Sequence, residues 1–268
     1  MKNRPDWRPT EVLANRAFSG SNKPRFVEQQ KHLYNARFGK VKWFIERFGA
    51  RELIMKPFRT VFSPLIIPAL PRKTFQFRGR ELPYLYHRYN MTWASERCVE
   101  VPIARMFLEA LKPETTLEIG NVLSHYAPVE HDILDKFERG QGVINEDIVD
   151  FKPSKRYDMV LSISTFEHIG FDDEARGSSA EKIVQAVRAS KSLLSGAGRL
   201  LVTTPVGYNP ELDRLLREDT LCPVEETYLK KFGHLDWREC SKEEALKCRY
   251  KEPFPYANAI VVAQFGND

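Results

Sequence analysis

Hydrophobic and polar positions change their period along this chain, and the change divides it. Over the first 40 residues apolar positions are sparse and weakly periodic. "FVEQQKHLYNARFGKVKWFIERFG" then predicts one or two helices stopped by Gly39 and Gly49. "LIMKPFRTVFSPLIIPALP" is apolar but cut by Pro57, Pro64, Pro68 and Pro71, and proline removes backbone donors and breaks helices. That segment is expected to be extended and to wrap the body.

From about residue 81 the pattern becomes an alternation of strands and helices. A helix is predicted from Ser95 to Leu111, with Val99, Val101, Ile103, Met106, Phe107 and Leu111 as its apolar face and Pro102 as a kink or late start. "TTLEIG", "HDILDKF", "GVINEDIV" and the almost wholly apolar "YDMVLSIST" read as four strands, the last buried on both faces. "SSAEKIVQAVRASKSLLSGAG" reads as a helix capped by Ser178 or Ser179, with Ile183, Val184, Val187 and Leu194 inward and Gly196 as its stop. "RLLVTTPVG" and "ANAIVVAQF" supply a fifth and a last strand. Strands alternating with helices imply a mostly parallel sheet covered on both sides.

Composition adds little until charge is mapped. The chain has 268 residues, 42% hydrophobic and 29% charged, which suits a soluble globular body with room for an extension. Residues 1–80 hold 18 basic and 5 acidic side chains, a net of +13, while the remainder carries −8. A basic arm on an acidic body signals a partner without naming it. Cys98, Cys222, Cys240 and Cys248 are scattered and form no C-x-x-C pair, so neither a zinc ribbon nor a disulfide framework is expected. That usage, together with a start lacking an apolar core and the lack of any long uncharged apolar run, points to a cytoplasmic setting. No histidine or cysteine spacing resembles a metal site, and none is expected.

The order of short motifs is more specific. A strand ends in Glu118-x-Gly120, a second closes on Asp135, Asp147 precedes Ile148 in "NEDIV", and "YDMVLSISTFEHIG" is followed by a helix and "GAGRLLVTTP". Over roughly residues 81–268 this resembles the class I S-adenosylmethionine-dependent methyltransferases, in the branch whose fourth strand ends in a (Ser/Thr)-hydrophobic-Glu-His-(Ile/Val) corner. The resemblance implies an α/β fold of three layers, Rossmann-like, with a mostly parallel seven-stranded-type sheet and an antiparallel last strand, here preceded by the basic helical extension of residues 1–80. It implies S-adenosylmethionine as cofactor. Glu118 and Gly120 match the first motif, whose glycine lets the backbone turn beside the methionine part. Asp135 matches the acid that holds the ribose hydroxyls, a task that two carboxylate oxygens suit. Asp147 and Ile148 match the pair at the adenine, and Ser164 and Thr165 fall at the open carboxyl end of the fourth strand. The corner "GNVLSH" lacks further glycines, and Asn121, Ser124 and His125 are expected to offer side-chain contacts instead. A sulfonium compound without pyrophosphate does not require a glycine-rich anion cradle.

Each candidate has a plainer alternative. His168 suits a general base by its near-neutral pKa, or else packs beside the cofactor and fixes the loop. Tyr208, Asn209 and Asp213 follow the fifth strand on the acceptor side, or else form a turn and a helix start at Pro210. His234 and Trp237 add to that rim, or else precede a helix capped at Ser241. Tyr89, Asn90, Thr92, Trp93, Glu96 and Arg97 close over the cofactor or its carboxylate, or else cap the first helix. The expected function is methyl transfer to an oxygen or nitrogen of a small-molecule or glycan-like acceptor. The alternatives are an RNA methyltransferase using the basic arm and a non-catalytic scaffold. A nicotinamide-dependent nucleotide-sugar oxidoreductase is opposed by the absence of G-x-G-x-x-G. The arm of residues 1–80 leaves nucleic acid, another anionic partner, a membrane surface with peripheral attachment, or simple packing on the body open.

Overall fold

The computed structural model describes residues 61–171 and 180–266. The helices expected within residues 26–49 and the Ser178/Ser179 cap lie outside the described residues. One compact unit runs from Ile54 to Asp268.

The described residues open in a helix α1 (61–69), which contains Pro64 and Pro68, where an extended segment was expected. A hairpin follows, β1 (Thr74–Phe77) and β2 (Arg80–Pro83), turning through Arg78 and Gly79. Both turn residues have positive φ, +50° and +70°, as the two-residue turn that matches strand twist requires.

Helix α2 (Arg97–Leu111) contains Pro102 without stopping. Proline has no N–H for the Cys98 carbonyl, and the Leu85 N–H takes that acceptor instead at 3.0 Å. The proline thus becomes the attachment point of the segment leading in from the hairpin.

The sheet is built from β3 (Thr116–Ile119), β4 (Asp132–Leu134), β5 (Val143–Ile144), β6 (Tyr157–Ile163), β7 (Leu194–Pro205), β8 (Glu225–Gly233), β9 (Asp236–Cys240) and β10 (Ala259–Gly266). Its order is β5-β4-β3-β6-β7-β10-β8-β9. Strands β3 to β7 are parallel, and β10 enters antiparallel between β7 and β8. This is the mostly parallel, Rossmann-like sheet with an antiparallel last strand that the resemblance implied, extended by one strand. The helices α3 (Ala180–Ser192), α4 (Pro210–Arg217) and α5 (Lys242–Ala245) complete the unit.

Side-chain alternation along the strands separates two cores. On β10, Ala259, Val261, Ala263 and Phe265 join Ile183, Ala186, Leu212 and Leu215 of α3 and α4. Ile260 and Val262 point the other way, to Val99 and Ile103 of α2 and to Phe75 and Phe77 of the hairpin.

Two further expectations are corrected. Helix α3 ends at Ser192, and Leu194 and Gly196 already belong to β7, whose irregular start shifts register against Tyr157 and Met159. The stretch expected as a rim and capping loop is instead the β8–β9 hairpin, although Ser241 does cap α5, accepting from the Glu244 N–H at 3.2 Å. A charge hides β8 in the pattern: Lys231 faces inward, 6% exposed, between the rings of Trp237 and Phe254. Its ammonium donates to the Ala94 carbonyl at 3.0 Å. Among the described residues no helix is long and apolar enough to cross a membrane.

Candidate functional site

The carboxyl ends of β3, β4 and β6 open into a cavity of about 340 Å³. Open parallel sheets place their ligands there, because the loops leaving neighbouring strands diverge. Gly120, Asn121, Asp135, Asp147, Ile148, Ser164, Thr165 and His168 all line it, so eight of the nine residues expected at a cofactor or in catalysis meet in one place. Tyr89, Asn90 and Arg97 line it as well, from the strap that precedes α2 and from its first turn.

Glu118 is the ninth, and it does not line the cavity. Its carboxylate is buried beneath the first corner, accepting from the Val122 and Leu123 N–H groups at 2.9 and 2.8 Å and meeting His131 Nε2 at 2.8 Å. It caps the single 3-10 turn Leu123–His125 that replaces a crossover helix, and so stands in for the glycines this corner lacks. Gly120 has φ +86°, and a β-carbon there would lie 2.1 Å from Thr165 Oγ1. The glycine is therefore required by its threonine neighbour as well as by the turn.

Asp135 lies in the cavity wall, but most of its lone pairs are used. Oδ1 accepts from the Phe137 and Glu138 N–H groups at 2.8 and 2.7 Å, and Oδ2 accepts from the Asn121 N–H at 3.1 Å. It ties the β4 exit to the β3 corner. Glu138, which no sequence signal marked, lines the same wall with its side chain 41% exposed. Asn121 Nδ2 donates to it at 2.7 Å, and His125 Nε2 stands 3.2 Å away, so the corner's polar side chains orient this carboxylate. Ser124 in turn bonds the Asn121 amide oxygen.

Asp147 is paired with two ammoniums, Lys136 at 2.8 Å and Lys182 at 3.1 Å. Burial alone would raise its pKa, but these two partners override it and hold the carboxyl below its ordinary range. Ile148 beside it is 5% exposed and supplies an apolar wall.

Ser164 ends β6 with φ +45°, a conformation that non-glycine residues adopt at a cost. Its hydroxyl donates at 2.6 Å to Glu100, a fully buried carboxyl on α2. Burial first, and the nearby Glu96 second, push Glu100 up to about 8. Glu167, also buried, is raised for the same first reason, with His168 opposing, and it accepts from Thr204 Oγ1 at 3.1 Å.

His168 stands at the mouth with its side chain 45% exposed. Its Nδ1 is 3.2 Å from the Tyr208 hydroxyl, and its Nε2 is 3.7 Å from Glu167 Oε1. Of the three residues expected on the acceptor side, Tyr208 alone comes this close. Its ring packs edge-on against His168, Phe171 and Tyr250. Asn209 is the N-cap of α4, accepting from the Glu211 and Leu212 N–H groups and donating to the Glu167 carbonyl. Asp213 accepts the Gly207 N–H with both oxygens, at 3.1 and 3.0 Å. Both serve the start of α4, in line with the plainer alternative of a turn and helix start at Pro210. Trp237 is buried in the hairpin core, while His234 is exposed at the hairpin turn and packs edge-on against Trp93. In the strap, Thr92, Trp93 and Glu96 are likewise buried.

No protein-family model and no curated protein matches this chain. Solved structures do. The N-methyltransferase NodS of Bradyrhizobium japonicum, in complex with S-adenosylhomocysteine, is similar at 15% identity and TM-score 0.42, covering 64% of this chain and 87% of its own. A 1,6-didemethyltoxoflavin-N1-methyltransferase of Burkholderia thailandensis matches at 12% identity and TM-score 0.40, over 73% of this chain and all of its own. An S-adenosylmethionine-dependent methyltransferase of Archaeoglobus fulgidus matches at 16% and 0.39, over 63% and 94%.

Proposed function

We propose that this protein transfers a methyl group from S-adenosylmethionine to an oxygen or nitrogen of a small-molecule acceptor. The observation that carries the reading is the polarity of the cavity at the carboxyl edge. Carboxylates of Asp135, Glu138, Glu146 and Asp147 line the cavity, with the Lys136 ammonium already paired to Asp147, Arg97 of α2 lines it too, and a single glycine with no anion cradle forms the corner. Acceptor oxygens suit hydroxyls and a cation, and a guanidinium suits a carboxylate. A pyrophosphate would face those carboxylates without its usual bed of backbone N–H groups, which disfavours a dinucleotide.

Glu138 is the group for the ribose hydroxyls, because Asp135 has little acceptor capacity left. Ile148 covers the adenine face, and Arg97 receives the carboxylate of the amino-acid tail. When bound, the cofactor supplies an electrophilic methyl on a sulfonium. The chain's own task is then to align the acceptor, exclude water and remove a proton. Such alignment of two reactants can supply a large share of the rate. His168 is placed at the mouth to take the acceptor's proton, with Tyr208 fixing the ring.

The rim composition alone favours sugar acceptors, and Asn209 and Asp213 already bond at the start of α4, so the acceptor class stays a small molecule with a nucleophilic oxygen or nitrogen. Calorimetry tests it. Binding of S-adenosylmethionine and S-adenosylhomocysteine, with no binding of NAD, is expected. Binding of NAD alone overturns it.

A further inference from the structure

Beneath the cavity lies a group that the reading above leaves unused. Glu100 is fully buried, one turn along α2 from Arg97. Its Oε2 accepts from Ser164 Oγ, but its Oε1 has no hydrogen-bond partner in the protein. Two more buried carboxyls stand near. Glu96 Oε2 accepts the Ala257 N–H at 3.1 Å, and Glu167 is held by Thr204. All three buried acids act electrostatically on Arg97, and Arg97 lines the cavity.

We propose that Glu100 is a positioning residue for the anionic end of the ligand. As a neutral acid it holds Ser164 and leaves Arg97 to face the cavity. As a carboxylate it competes with the ligand for the same guanidinium. This rests on the reading that the cavity takes an adenosyl amino acid.

The physical ground is charge balance. A buried carboxylate whose second oxygen is unpartnered is costly, and proteins commonly relieve the cost by keeping the proton. The groups acting on Glu100 come from every side: Glu96, Arg97 and Cys98 on its own helix, Glu167 from the turn after β6, Tyr126 from the β3 crossover, and the Ser164 hydroxyl from the end of β6. Two of these are further acids that disfavour ionisation, while Arg97 and the Ser164 hydroxyl favour it. Burial with Glu96 places the transition at about 8, close enough to neutral pH to be used. Ligand carboxylate on Arg97 would offset the larger of the two favourable partners, so ligand binding and the Glu100 proton reinforce one another.

The test is calorimetry of the full chain with S-adenosylhomocysteine between pH 6 and pH 9, for wild type and Glu100→Gln. Glutamine keeps the shape and stays neutral. Wild-type affinity is expected to fall by about tenfold from pH 7 to pH 9, as linkage to one proton allows, while the variant holds its affinity. The ligand's own amino group titrates alike in both, so the difference reports Glu100. Should Glu100→Gln not fold, Glu100→Met serves in its place, since it also removes the competing charge and is expected to flatten the profile. Binding with parallel pH profiles in wild type and variant overturns the inference alone. No binding by the wild type at any pH overturns the reading of the cavity, and this inference with it.

Discussion

The Glu118 carboxylate and the His131 imidazole meet at 2.8 Å beneath the first corner, one from the middle of β3 and the other from the residue before β4. The histidine occupies one oxygen while two backbone N–H groups occupy the other. Glu118→Gln is expected to keep its oxygen on the two N–H groups and turn its NH₂ to His131 Nε2, which then accepts, so only the charge on these bonds is lost, at a cost of about 1 kcal/mol. Urea unfolding, with a lower midpoint at unchanged slope, is the measurement.

Asp135 and Glu138 are expected to separate stability from binding. In Asp135→Asn, whichever way the amide sits, its NH₂ faces at least one of three backbone donors, and a loss of about 1–3 kcal/mol follows. Glu138→Gln should leave the unfolding midpoint nearly unchanged while weakening S-adenosylhomocysteine by about tenfold, the weight of a hydrogen bond to a charged group. The sharper readout is the 2′-deoxy analogue. Wild type should discriminate against it and Glu138→Gln should not. Equal discrimination by both would return the ribose role to Asp135.

Gly120→Ala tests the approach of Thr165. The β-carbon would sit 2.1 Å from Oγ1 at a left-handed φ, so both overpacking and backbone strain apply, together about 2–4 kcal/mol. Adding Thr165→Ala removes the clash and should recover part of the loss, leaving the strain. No recovery in the double variant would mean that the threonine is not the obstacle. Thermal melts of the three variants decide it.

Asp213 gives a pH dependence of defined sign. Burial pushes its carboxyl up to about 6, with the Gly207 N–H opposing. Its pKa is thus raised above the unfolded value near 4, so the folded chain holds this proton more tightly. Its contribution to stability falls as pH rises between about 4 and 6 and is level above that. Asp213→Asn should remove this slope, visible as a flatter stability-against-pH curve across that window.

Much of this was legible beforehand, and the reasons for the failures are physical. The central strands were readable because they are buried on both faces, which leaves unbroken apolar runs such as those in parallel β6 and antiparallel β10. Strand β8 was not, because Lys231 sits where an apolar residue would normally mark the inward face, its charge met by Ala94 and two aromatic rings. Positions around the cavity were readable from motif order, but the tasks of individual residues were not. Glu118 and Asp135 have the expected residue types at the expected places, yet the corner consumes their oxygens, and a linear sequence does not show which lone pairs remain. Asn209 and Asp213 were open between an acceptor rim and the helix start at Pro210, and their hydrogen bonds follow the second.

The ammonium of Lys231 reaches from the next-to-outermost strand of the sheet to Ala94, in the strap that carries Tyr89 and Asn90 over the cavity. The far hairpin and the near pocket therefore share a tether. Alterations at that remote edge should register in how firmly the pocket's roof is held, so a survey confined to lining residues would overlook one of its supports.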